Sequence, residues 1–333
     1  MVIQDRNSKF GIETAGSLMS SDFITLSQNQ TIDEAIEYLR KNLFQKADIH
    51  YVYVVNEDKV LVGVVAIREL LAAKGDMALS DVMKTKLKLL TSAIDQEEVA
   101  QLFQQTELVT IPVVDESNHL LGVIHIDQIL DVMEQEGTQD VYRMASIKSD
   151  QLENQNLLTA SISLLYRKRI VWLIVLVFMN VFSGAGIATY EELIESNVAL
   201  VFFLPLLVDS GGNAGAQSAT LVIRAMALGE VRMKDWFKMI SKETIIAGLL
   251  GFTMALAVSF VGFMRGGFDI AIIVAMTMVL VVILGSLIGL SLPFIFNKLK
   301  MDPATASGPL ITSICDIVGV FIYFAIASAF LTL

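Results

Sequence analysis

The chain has 333 residues, 54% of them hydrophobic, and a formal net charge of −11. A mean hydropathy of +0.61 is too apolar for an ordinary soluble protein. The acidic balance argues against nucleic acid as a partner and allows divalent cations, while a single cysteine, Cys315, excludes a disulfide framework or a cysteine-rich zinc site.

The charge is unevenly spread. Residues 1–160 carry 25 acids and 13 bases, whereas 161–333 carry 10 acids and 11 bases. An acidic soluble part therefore precedes a nearly neutral, apolar one. The opening segment MVIQDRNSKFGIE has no apolar signal core, so the soluble part is expected in the cytosol. Residues 1–11 read as a short extension.

An internal repeat follows. Leu18-Met-Ser-Ser-Asp-Phe-Ile-Thr-Leu is echoed by Val82-Met-Lys-Thr-Lys-Leu-Lys-Leu-Leu. Thr31-x-x-Glu34 and Asp95-x-x-Glu98 each have capping-box spacing ahead of an apolar helical pattern. Val52 to Ile67 parallels Ile111 to Ile126, with Gly63 matching Gly122. The length difference between copies falls around Asn42–Asp48. Each copy reads helix, strand, turn, strand, helix, with hairpin-like turns at Asn56–Lys59 and Asp115–Asn118. The copies are expected at about 12–76 and 77–137. The three histidines, His50, His119 and His125, are not spaced to share a metal. Residues 138–168 read as an amphipathic helical connector whose basic end, Arg167-Lys-Arg169, reaches lipid headgroups.

Five apolar runs are each long enough to span a bilayer: 170–189, 197–223, 244–264, 270–297 and 303–333. The loop after the first is acidic (TYEELIESN), whereas the one after the second carries Arg224, Arg232, Lys234, Lys238 and Lys242. The positive-inside rule puts the N-terminus and the 224–243 and 297–302 loops in the cytosol and the C-terminus outside. The fold class expected is an α/β tandem module followed by an all-α five-helix membrane domain.

Asp209 and Asp316 are the only acidic or basic residues within these runs. A carboxylate at bilayer depth costs roughly 2.5–3.5 kcal/mol unless it faces protein or water. Asp209 opens the small, polar stretch Asp209-Ser-Gly-Gly-Asn-Ala-Gly-Ala-Gln217. Gly211 with Gly215, and Gly212 with Ala216, have the small-xxx-small spacing of close helix packing. Asn213, Gln217 and Ser218 favour a hydrated path instead. In the fifth run Gly308, Thr312 and Asp316 recur every four residues, so they share one helical face. Pro303 suits a helix start. Pro309 reads as an interior kink that frees the Thr305 carbonyl. A site of few carboxylates, amides and carbonyls suits a hard cation that keeps its water, magnesium before others. A proline-kinked helix with Asp316 hydrogen-bonded to a neighbour is the plain alternative.

The repeat over about 12–137 resembles a tandem CBS-domain pair. Together with the connector, GGNAGAQ in the second run and DPATASGP…Asp in the fifth, it resembles the MgtE family of magnesium channels. The resemblance implies a homodimer in the cell membrane, with its pore on the two-fold axis between second and fifth spans. By motif position it implies that Asp316 holds a largely hydrated Mg2+, that Gly308 and Thr312 carbonyls assist, and that Asp302 is the acidic residue at the cytosolic start of the fifth span. It further implies regulatory Mg2+ near Asp131, Glu136 and Asp140. CBS pairs often bind adenine nucleotides, although no nucleotide determinant stands out here. Family members usually begin with a superhelical domain, which this sequence is expected to lack. Gln128 and Gln139 stand where carboxylates are common. Closure by cytosolic Mg2+ is therefore expected to be weakened or differently built.

Other readings remain: an exchanger of divalent cations such as Mg2+, Co2+ or Mn2+ coupled to Na+ or H+, or a CBS-regulated membrane enzyme or receptor. No proton relay of intramembrane His or Lys supports the first. No nucleophile–base pair or metal triad supports an enzyme.

Overall fold

The computed structural model describes residues 10–42, 50–148 and 156–331. Most of residues 1–11, most of the longer first connection and the middle of the connector lie outside the described residues. The chain divides into two compact units, 1–136 and 137–333.

The first unit holds α1 (Ala15–Leu18), β1 (Thr25–Ser27), α2 (Ile32–Asn42), β2 (Tyr51–Val55), β3 (Leu61–Ala66) and α3 (Ile67–Ala72). The second copy repeats the order as α4 (Leu79–Val82), β4 (Leu90–Thr91), α5 (Gln96–Gln105), β5 (Thr110–Val114), β6 (Leu120–His125) and the start of α6 (Ile126–Met144). In each sheet a short first strand pairs in parallel with the middle strand, which pairs antiparallel with the third. The bulges match, at Val54/Val55 and Val113/Val114. Both hairpins close through a left-handed residue, Lys59 at φ 61° and Asn118 at φ 62°. The expected box at α2 forms, with Thr31 N–H on Glu34 Oε2 at 3.0 Å and Glu34 N–H on Thr31 Oγ1 at 3.3 Å. At α5 the Asp95 carboxylate caps by accepting from Glu97 N–H at 2.9 Å.

The copies are not separate in space. Ala15, Leu18 and Met19 bury with Val99, Phe103, Ile111 and Ile124 of the second copy. Leu79 buries with Ile24, Ile32, Val54 and Val65 of the first. Ser20 bridges Val123, and Val64 bridges Lys84. A Cβ on Gly122 meets Met19 side-chain atoms, and one on Gly63 meets those of Met83. Each repeat's opening segment thus completes the other's core.

The second unit contains α7 (Ile162–Ala188), α8 (Glu191–Ser196), α9 (Ala199–Ala227), α10 (Trp236–Lys298) and α11 (Gly308–Leu331). Among the described residues four helical segments are long and apolar enough to cross a membrane, one of them covering Met233–Lys298. A straight helix of that length is about three bilayer cores long. Instead α10 breaks at Gly267, whose φ 76° and ψ −164° suit glycine alone. Its halves fold back on each other: a Cβ on Gly262 meets Ala271, and one on Gly251 meets Val279. The third and fourth apolar runs are therefore a hairpin with almost no loop.

Glycine contacts also give the directions of the other helices. Gly211 faces Val281 and Gly215 faces Gly285, so α9 runs parallel to the second half of α10. Gly212 faces Thr312 while Gly319 faces Val208, so α11 runs antiparallel to α9. Gly186 near the end of α7 meets Val320 and Phe321. The core of this bundle includes Phe203, Leu207, Ile273, Met278, Val282, Tyr323 and Phe324. Phe178, Phe182, Leu221, Phe252 and Phe260 are exposed, as lipid-facing side chains are.

Two expectations change. The connector is not one helix over 138–168. α6 ends after Met144, where Ser146 N–H bonds to the Arg143 carbonyl at 2.9 Å and Ile147 N–H to the Tyr142 carbonyl at 2.8 Å. That is a Schellman ending with Ser146, φ 58°, in the left-handed position usually taken by glycine. Nor does Pro309 kink a helix. Pro303–Thr305 form a 3-10 turn capped by Asp302, and α11 starts at Gly308. Pro309 then sits in the first turn, where a missing N–H costs nothing. The Thr305 carbonyl accepts from Ser307 N–H at 2.7 Å. The prolines inside helices are Pro205 and Pro293, which free the carbonyls of Val201 and Gly289.

Candidate ion-conducting site

α9 has two unlike faces. Gly211, Gly212, Ala214, Gly215, Ser218 and Ala219 are buried against the bundle. On the opposite side Asp209, Asn213, Gln217 and Thr220 are exposed. Their spacing of four, four and three residues draws a polar stripe along about three turns of helix. Lipid offers such groups no hydrogen bonds, so a stripe like this faces water or another protein surface.

The stripe is organised locally. Asn213 Nδ2 donates to Asp209 Oδ2 at 2.9 Å. Thr220 Oγ1 donates back to the Ala216 carbonyl at 2.8 Å. α11 lies beside this face. A Cβ on Gly212 meets Thr312 Cγ2 and Cα, and one on Gly308 lies 3.9 Å from Ala216 Cβ. Gly308, Thr312 and Asp316 are all half-buried and share one face of α11. Gly212 faces Thr312 and Gly319 faces Val208, so in this antiparallel pair Asp316 comes level with Asp209. Both intramembrane carboxylates thus belong to one polar surface. Gly211, Gly212 and Gly215 do the packing, while Asn213 and Gln217 turn away from it.

The start of α11 holds a second polar cluster. Asp302 Oδ1 accepts from Ala304 N–H at 2.7 Å, and its Oδ2 is ion-paired with Arg143 of α6. Ser146 Oγ lies 2.6 Å from Ser307 Oγ, both buried. Met144 packs with Ala304, Ala306, Ile311 and Cys315. Burial pushes the Asp140 carboxyl up to about 6, assisted by the Asp302 charge and opposed by Arg143 and Arg224.

The residues expected to bind regulatory Mg2+ do not gather in one place. Asp131 and Asp140 are nine residues apart on α6, so they project from opposite sides of it. Glu136 accepts from Gln96 Nε2. Among the described residues no three acids, histidines or cysteines converge in a metal-binding group. Arg143, Ser146 and Ser307 carry no local sequence signal, because their partners are distant in sequence. Thr220 was legible, since it continues the spacing of Asp209, Asn213 and Gln217.

Comparison with known proteins agrees with this division. Residues 204–326 match the family described as a divalent cation transporter, and residues 15–76 and 79–135 match the CBS domain. The magnesium transporter MgtE of Thermus thermophilus is 32% identical over 320 residues, covering 96% of this chain and 70% of that protein. That of Bacillus subtilis is 34% identical with the same coverage. The chain belongs to the MgtE family of magnesium transporters. A solved cytosolic domain of the Mg2+ channel MgtE in complex with ATP shares 32% identity, with a TM-score of 0.36 over 37% of this chain and 50% of that one. Within the MgtE match lie the whole polar stripe of α9 and the Gly308–Thr312–Asp316 face of α11.

Proposed function

We propose that the protein is a Mg2+-selective channel working as a homodimer, with α9 and α11 of both copies around a pore on the two-fold axis. One observation carries this reading: the exposed stripe Asp209–Asn213–Gln217–Thr220 beside Thr312 and Asp316, on a helix bundle that elsewhere exposes many large apolar side chains. A second copy of the same surface would enclose those groups in a hydrated path. Two Asp316 carboxylates then hold an ion that keeps most of its water, as Mg2+ prefers. The Gly308 and Thr312 carbonyls and the Asn213 amide complete the polar wall. In this reading the N-terminus and CBS pair lie in the cytosol and the C-terminus outside, which the basic residues of the 224–243 and 297–302 segments support. Entry of Mg2+ is then driven by the membrane potential, and the CBS pair with the end of α6 adjusts it.

Purified protein in liposomes, loaded with a Mg2+ indicator and given a potassium diffusion potential, tests this. Uptake should follow voltage and need no counter-ion. Asp316→Ala should abolish selective Mg2+ flux while the protein still elutes as a folded dimer. Full flux in that variant removes Asp316 from the pore. A strict requirement for a Na+ or H+ gradient favours the exchanger.

A further inference from the structure

The cluster at the start of α11 does not suit a divalent cation. Among the described residues Asp140 and Asp302 are the carboxylates whose charges act together here, and both oxygens of Asp302 are engaged, one by Ala304 N–H and one by Arg143. Arg224 adds a second guanidinium near Asp140. Asp302 therefore has a guanidinium in contact and Asp140 has two acting on it, Arg143 and Arg224, without any added ion.

The site is also partly dehydrated. The Arg143 and Asp302 side chains are 31% and 28% exposed. A guanidinium is weakly hydrated and enters such a place readily, whereas Mg2+ gives up its waters reluctantly and takes near-octahedral oxygen ligands. The geometry around it is built to be held. The Schellman ending of α6 turns Ser146 onto Ser307, and Met144 fills the apolar space beside them.

We propose that Arg143 is a resident cation, filling the role that a divalent ion would otherwise play beside Asp140 and Asp302, so that the end of α6 docks on residues 302–307 without Mg2+. The contact then depends on a charge carried by the chain, not on the metal content of the cytosol. This holds whatever the transport mechanism.

A disulfide reads docking directly. In the full chain with Cys315→Ala, Ser146→Cys and Ser307→Cys place two sulfurs where two hydroxyls now touch. Oxidation in membranes should give the cross-link equally fast in EDTA and in millimolar Mg2+. Adding Arg143→Gln should slow it about tenfold in EDTA, since a charged hydrogen bond is lost. Millimolar Mg2+, but not KCl of equal ionic strength, should then restore the rate. Arg143→Lys keeps the charge and should stay near the parent, which separates loss of charge from misfolding. A parent that cross-links only with Mg2+, an unchanged Arg143→Gln, or a slowed Arg143→Gln that Mg2+ does not restore would each overturn the proposal.

Discussion

Asn213 donates a 2.9 Å hydrogen bond to the carboxylate of Asp209 one turn earlier on α9. Both side chains lie on the exposed polar face, so the bond orients Asp209 without withdrawing it from that surface. A carboxylate in an apolar surround needs such a partner. Asn213→Ala should therefore disturb Asp209 more than it disturbs packing. We expect Mg2+ flux to fall about tenfold, as loss of a charged hydrogen bond implies, with the thermal midpoint in detergent nearly unchanged. A large drop in midpoint with normal flux would assign Asn213 to packing.

The glycines of α9 and α10 meet backbone to backbone. A Cβ on Gly289 would run into the Gly215 carbonyl, and backbone cannot swing aside as a side chain can. Gly289→Ala should destabilise the bundle by about 1–3 kcal/mol, the cost of overpacking a well-filled interior. Gly248→Ala meets nothing within 4 Å and serves as the neutral control. Detergent-resistance or thermal unfolding of the two variants should separate clearly.

Gly267 makes the sharp reversal in α10 at φ 76° and ψ −164°. Space is not the constraint there, because a Cβ would meet nothing within 4 Å. The cost of Gly267→Ala is purely conformational, on the order of 1–3 kcal/mol. Inserting a second glycine after the variant residue should recover much of the lost thermal stability, whereas trimming neighbouring side chains should not.

Asp140 supplies a pH dependence. Its carboxyl is raised to about 6 from an ordinary 3.8, by burial first and the Asp302 charge second, against Arg143 and Arg224. The folded state holds this proton more tightly than the unfolded one. On this group's account stability is greatest below about 4 and is lost as pH rises through 6. Asp140→Asn removes that penalty. The midpoint of the variant minus that of the parent should be positive at pH 8 and shrink toward pH 5. A constant difference would show that Asp140 does not titrate in this range.

Much of this organisation is legible in the chain because the signals are local. The repeat, the Thr31–Glu34 box, the five apolar runs and the four-residue spacing of Gly308, Thr312 and Asp316 each depend on residues within a few turns of one another. Pro309 is ambiguous in the sequence because helix propensity alone cannot say where a helix begins. The 3-10 turn at Pro303–Thr305 absorbs the first proline and moves the start of α11 to Gly308. Ser146 gave no helix-end signal, because serine seldom takes the left-handed position and only the Ser307 hydroxyl shows what favours it.

The sequence by itself determined that an acidic α/β repeat precedes an apolar helical domain, and that two intramembrane carboxylates need a polar surround. Periodicity and the cost of burying charge suffice for both. Only the tertiary structure decided that each repeat's first segment completes the other's core and that the expected reversal between the third and fourth runs is made at Gly267 with almost no loop. It also decided that Asp209 shares a surface with Asp316 and that Arg143 rests on Asp302. These depend on which helix faces and distant segments meet. Close glycine packing and long-range charge pairing settle that, and no spacing along the chain encodes it.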